Sequence, residues 1–156
     1  MTIIDDTLSI ASSTAGPTGT TTTKVGSHID LGTTGKNIGA GSPGIYIVIK
    51  VATAIETAVG SGTATFIVRT GDNSDMTTSP TQVLHSGNLV TTQGATTLTA
   101  GVTILKARLP SMTYGRYLGL VQVNSATVSG GAVTAYLTLD ADDWKAYPDA
   151  LTTITG

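Results

Sequence analysis

Few residues in this chain combine the types and spacing that chemistry requires. Gly39-Ala40-Gly41-Ser42-Pro43-Gly44 matches the G-x-G-x-x-G pattern of dinucleotide-binding turns. That pattern works only between a strand and a helix, because the helix N-terminus receives the pyrophosphate. Here the glycines lead into the strand-like run 45–51 and Pro43 interrupts the motif, so the segment reads as a turn. Two stretches are rich in oxygen donors, Asp72-Asn73-Ser74-Asp75 and Asp140-Ala141-Asp142-Asp143. Calcium takes roughly six to eight oxygens. Neither stretch has EF-hand spacing, and Asp and Asn are ordinary turn formers. The second is the better cation candidate, and no metal or cofactor is expected. His28 and His85 are isolated, and Glu56 is the sole glutamate. Distant residues can assemble a Ser-His-Asp triad, but no G-x-S-x-G elbow marks a nucleophile. Paired-carboxylate hydrolysis lacks an evident pair. The expectation is a chain without enzymatic activity. More informative is the segment Leu109 to Leu120, with Tyr114, Arg116 and Tyr117 between two strand patterns. Its plainest role is a connection whose tyrosines cap the core while Arg116 pairs with an acid.

The composition restricts the elements that hold these residues. Among 156 residues, 31 are Thr and 19 are Gly, and only 12% are charged. Ordinary chains carry about 25% charged residues. So few Glu, Lys and Arg exclude a coiled coil or an exposed helical bundle. A mean hydropathy of +0.22 argues against bulk disorder. Abundant Thr, Val and Ile favour strands. The net charge is −2, and the eight cations are spread singly along the chain. Without a basic cluster interleaved with aromatics, nucleic acid is not an expected partner. The absence of Cys removes disulfides and thiolate chemistry and suits assembly in a reducing cytoplasm. The start, Met1-Thr-Ile-Ile-Asp-Asp6, lacks the basic and apolar regions of a signal peptide. No apolar run approaches the ~20 residues of a membrane helix, so no membrane partner is expected.

The chain divides into a Thr-rich N-terminal arm (1–23), a strand-rich body (24–140) and a tail (141–156). In the arm, Ile3, Ile4, Leu8 and Ile10 can anchor an extended segment or a first strand. Residues 12–23 read as a loop or flexible arm. Strand patterns follow at 25–31, 45–51, 63–70, 82–86, 102–109, 116–124 and 132–140. Ile45, Ile47, Ile49 and Val51 share one face of the strongest run. Ala64, Phe66 and Val68 share a face of the next, and the two runs are expected to pair as neighbouring antiparallel strands. Pro110 and Gly130-Gly131 end or separate later runs. The total of about eight strands implies an all-β, two-sheet antiparallel sandwich. Trp144 and Tyr147 in the tail are suited to packing on the sandwich or to anchoring an interface.

Several of these segments carry a family resemblance. They are Ile29-Asp-Leu-Gly32 with the turn Gly39 to Gly44, and the strand run 45–51 followed after a Gly-rich loop by 63–70. Leu109-Pro110 leading into Arg116-Tyr-Leu-Gly-Leu120 is the third, and the Gly130 to Asp140 ending is the last. In order and spacing the chain resembles phage capsid cement proteins of the Bbp16 type. The resemblance implies a jelly-roll sandwich on the outer surface of a tailed-phage virion head, made in the bacterial host cytoplasm. Its implied partners are the phage major capsid protein and itself, as a homodimer or alternatively a trimer. It would staple neighbouring capsid subunits and stabilise the mature shell. The residues expected at capsid or oligomer interfaces are Ile3, Ile4, Leu8, Tyr114, Arg116, Trp144 and Tyr147. Deleting residues 1–12 is expected to weaken capsid binding and spare the fold. The alternative is a carbohydrate- or receptor-binding jelly-roll module of a phage tail structure, for which one Trp and five Tyr offer sparse material.

Overall fold

The computed structural model describes residues 8–32, 36–94 and 97–139. The described residues form nine strands and no α-helix. They are β1 (Ser9–Ala15), β2 (Thr22–Asp30), β3 (Tyr46–Thr57), β4 (Ser61–Gly71), β5 (Thr81–His85), β6 (Leu89–Thr92), β7 (Thr103–Arg108), β8 (Tyr117–Asn124) and β9 (Val128–Thr138). One sheet has the order β1-β9-β3-β7. The other has the order β2-β8-β4-β5, with β6 also on β4. The pairs β1:β9, β2:β8, β3:β7 and β4:β5 are nested and antiparallel. A ribbon folded back at β4–β5 and rolled up gives this order, with β1 to β4 and β6 to β9 alternating between the sheets. That is the jelly-roll form of the β-sandwich.

Alternation places the core between the sheets. Ile47, Ile49 and Val51 of β3 meet Val133, Ala135 and Leu137 of β9 on one inner face. Ala64, Phe66 and Val68 of β4 and Leu118 and Leu120 of β8 supply the other, all fully buried. Each Val, Leu, Ile or Phe side chain among them contributes roughly 1.5–3 kcal/mol on burial. These are the faces that the sequence alternation predicts.

Three expectations need correction. The runs 45–51 and 63–70 are not paired neighbours. β3 bonds to β7 and β9, while β4 bonds to β5, β6 and β8 in the opposite sheet. Both runs alternate with period two, and that pattern does not distinguish a hairpin from a crossover between sheets. The segment 12–23 is not wholly a loop, because β1 extends to Ala15 and β2 begins at Thr22. Ile10 and Ala11 of β1 are core residues, so deleting residues 1–12 would remove most of this strand rather than spare the fold. A four-residue strand, β6, joins the eight expected.

β1 and β2 lie close together where β2 bulges. Gly26 lies at φ +73°, and a Cβ there would collide with the Ile10 carbonyl oxygen, so a side chain fits neither the backbone nor the space. The loop between the strands is fixed from inside the core. The buried Asn124 amide donates to the carbonyls of Pro17 (3.0 Å) and Gly19 (3.1 Å), and its oxygen accepts from the Gln122 amide at 2.8 Å. Asn124→Ala leaves two carbonyls and the Gln122 amide without these partners. We expect it to lower the unfolding free energy by ~1–3 kcal/mol, read as a reduced urea midpoint at unchanged m-value.

Candidate interaction surface

The last residue of β2 and the first of β8 are register partners, Asp30 and Tyr117. This pairing creates a polar and aromatic cluster at one end of the second sheet. The Arg116 guanidinium donates to both Asp30 carboxylate oxygens, with its closest contact, Nη2 to Oδ2, at 2.9 Å. Its charge also lies 4.9 Å from the centre of the Tyr117 ring, within cation–π range. Tyr117 meets His28 edge to face, with ring centres 4.8 Å apart. The Arg116 backbone N–H donates to Asp72. The Arg116 hydrogen bonds, followed by the Gly32 N–H, hold the Asp30 carboxyl below its ordinary range. The Arg116 and Asp30 side chains are 43% and 44% exposed. An exposed pair of this kind adds little to stability. It does present a pre-oriented guanidinium beside an aromatic ring, and Arg and Tyr are frequent interface anchors.

Tyr114 has a different role. It is 1% exposed, and its hydroxyl donates to the Pro110 carbonyl at 2.7 Å. Burial pushes this phenol up to about 12. The ring caps the core, as the plain reading of its segment predicts, and it offers no surface for a partner. Leu8, just before β1, is partly exposed at 39%. Ile3, Ile4, Trp144, Tyr147 and the Asp140–Asp143 cluster lie outside the described residues.

The remaining motifs hold loops in place. The Gly39–Gly44 turn packs on the segment that follows β7. A Cβ at Gly39 would collide with the Pro110 carbonyl, and Arg108 donates to the Gly41 carbonyl at 2.6 Å. This glycine pattern is a clasped turn, not a phosphate cradle. The 72–80 connection folds over the outer face of the second sheet. Met76 is fully buried there, against Gly119, where a Cβ would press on its side chain. Met76 lies at φ +58°, a strained conformation for this residue. Arg69 donates to the Met76 carbonyl and Lys24 to the Ser74 carbonyl. Asp75 accepts from the Thr77 and Thr78 N–H groups and the Thr78 hydroxyl. His28 and His85 occupy β2 and β5, the two ends of the sheet order, and are not brought together. His85 Nδ1 accepts from the Gly87 N–H. Among the described residues, no three His, Cys, Asp or Glu side chains gather as a metal site.

The sequence reading missed Asp30 as the partner of Arg116, as well as the contacts of Tyr117 with His28 and Met76 with Gly119. Asp30 was within reach, since it stands in the Ile29-Asp-Leu-Gly32 run and ends the strand that pairs with β8. Nothing in the spacing of Met76 announces its burial.

Comparison with known proteins gives one family. The sequence model described as Bbp16 matches residues 13–140. None of the curated proteins compared matches the chain.

The Asp75 turn yields a test by pH. Its hydrogen bonds, the Thr78 hydroxyl first, hold the carboxyl at about 2, below the ordinary 3.8. A depressed folded-state value stabilises fully above the ordinary one and is lost as pH falls through the depressed one. Asp75→Ala is therefore expected to be less stable than the parent at neutral pH. The difference should close as pH falls from 3.8 toward about 2. Urea midpoints measured across this range read the effect. A pH-independent difference would remove the carboxylate charge from the explanation.

Proposed function

The chain belongs to the Bbp16 family, and from this premise we propose that it is a structural virion protein. In this reading it binds the outer surface of a tailed-phage head and staples neighbouring major capsid subunits as a homo-oligomer. The observation that carries the reading is the jelly-roll order of the strands in a chain of this family. Jelly rolls serve in capsids and in lectins, so the surface has to separate these uses. A sugar platform needs an exposed aromatic face. Of the described aromatics, Phe66, Tyr114 and Tyr136 are buried, and Tyr46 and Tyr117 are half-buried. Tyr117 is further occupied by Arg116 and His28. This distribution favours the capsid reading over the glycan reading.

A staple stabilises a shell only as far as it binds the assembled lattice better than free subunits. A specific contact should bury about 1,000 Å² or more, and an oligomer multiplies modest contacts by touching several subunits together. The half-exposed Arg116–Tyr117 cluster and the N-terminal arm are the elements we assign to such contacts.

The purified chain is expected to co-sediment with heads that lack their cement and to raise their resistance to heat. Removing residues 1–7 keeps β1 whole, so far-UV circular dichroism should not change. Occupancy of the head should fall about tenfold, equivalent to ~1.4 kcal/mol. Unchanged occupancy removes the arm from the interface. Failure of the full chain to bind heads, together with specific binding on a glycan array, overturns the cement reading.

A further inference from the structure

The outer face of the β1-β9-β3-β7 sheet differs in character from that of its partner. Ile47, Ile49, Ala135 and Leu137 point into the core, so Val48, Lys50, Tyr136 and Thr138 stand outside. Lys106 of β7 is the register partner of Val48 on the same face. Val48 and Tyr136 oppose each other and are only 2% and 3% exposed. Tyr136 stands on this face between Ser9 of β1 and Val48 of β3. Lys50, Lys106, Tyr136 and Thr138 are all engaged in contacts. The face is therefore a basic rim around an apolar and aromatic centre.

Charge is distributed unevenly along the chain. The described residues contain seven cations (Lys24, Lys36, Lys50, Arg69, Lys106, Arg108, Arg116) and four acids (Asp30, Glu56, Asp72, Asp75), a net charge of +3. Three of those acids are engaged elsewhere, in the Arg116 cluster and the Asp75 turn. Residues 140–156 carry Asp140, Asp142, Asp143 and Asp149 against Lys145, a net charge of −3, together with Trp144 and Tyr147. This segment follows β9 directly, so it starts at the border of the basic face. Crossing from β9 to β7 spans about 10 Å, a distance that about three extended residues cover. The first seven residues enter at the same end but bring only Asp5 and Asp6 and no ring.

We propose that the basic, aromatic outer face of the β1-β9-β3-β7 sheet is the docking surface for the acidic, aromatic segment 140–156 of the same chain. Its carboxylates meet Lys50 and Lys106, and Trp144 lies over Val48 and Tyr136. The inference does not depend on the capsid reading. An acidic partner that uses this face must first displace the segment.

Trp144 is the single tryptophan, so its fluorescence in the full chain reports on the segment alone. We expect acrylamide to quench it weakly in the folded chain, and equally weakly on dilution. Lys50→Glu with Lys106→Glu should raise quenching to the level of the urea-unfolded chain. The control Lys36→Glu should leave it low. Quenching of the folded parent at the unfolded level overturns the proposal, as does protection that the double variant does not alter. Protection that disappears on dilution assigns the face to a second copy and also overturns it. Zero-length carbodiimide crosslinking of the parent chain gives a second readout that needs no variant. Links from Lys50 or Lys106 to an aspartate of 140–149 within one monomer support the proposal. Links to Asp5 or Asp6 alone, or none from either lysine, overturn it.

Discussion

The antiparallel pairing of β1 with β9 sets Ser9 against Tyr136 and Ala15 against Ala132, joining the two ends of the described chain. Every other nested pair lies inside this one, so the roll closes only when its most distant segments meet. The side-chain period is two, and a slip of one residue would turn a core face outward. The central β3–β9 register resists such a slip, because Ile47, Ile49 and Val51 all face buried partners. Long-range pairing carries a large loop-closure entropy before it returns contact energy. The continuous apolar interior from Ile10 to Leu137 supplies the offsetting gain.

Within that frame the few charged groups work mainly on loops. Arg108 holds the Gly41 carbonyl, Arg69 the Met76 carbonyl and Lys24 the Ser74 carbonyl. Asp75 draws three donors into one turn, and Asp30 with Asp72 fixes both the side chain and the backbone of Arg116. A sandwich built from Thr-rich strands leaves its connections with little apolar surface to bury. A cation reaching a backbone carbonyl gives such a connection a charge-assisted hydrogen bond in place of a core. The free edges are managed in a similar way. β7 carries Lys106 and Arg108, and the far edge of the other sheet is split into the short strands β5 and β6. Both features discourage edge-to-edge association.

The sequence was most legible where burial and alternation coincide. The inner faces of β3, β4, β8 and β9 follow directly from period-two spacing of Ile, Val, Leu and Phe. β1 was harder to read, because Ser-Ile-Ala-Ser-Ser-Thr-Ala is mostly small and polar and its register shifts twice against β9. An edge strand of this kind is defined by its partner rather than by its own pattern. The partition of strands between sheets was also hidden, since β3 and β4 alternate alike and differ only in which distant strands they bond. The Arg116 cluster was half visible. An acid partner followed from the chemistry of arginine, but its identity as Asp30 required the β2–β8 register. Tyr114 shows the limit of residue type as a guide, because the same ring that anchors an interface also plugs a core, and only burial separates the two.

The closing pair also determines where the ends of the sandwich lie. β1 begins and β9 finishes at one end of the same sheet, so Leu8 and Leu139, both exposed, mark exits at a common corner. The arm and the tail together bring a net charge of −5, from six aspartates and Lys145, while the described body holds +3. A chain organised this way has opposite charge in its body and in its terminal segments. Under the staple role proposed for this chain, two segments that begin at one corner share a single point of departure. They do not by themselves bridge two distant subunits. Bridging then requires either a second contact from the body, where Arg116 and Tyr117 stand, or a second copy of the chain. Symmetric association supplies that second copy with no new sequence, because one patch repeated about an axis faces two subunits at once.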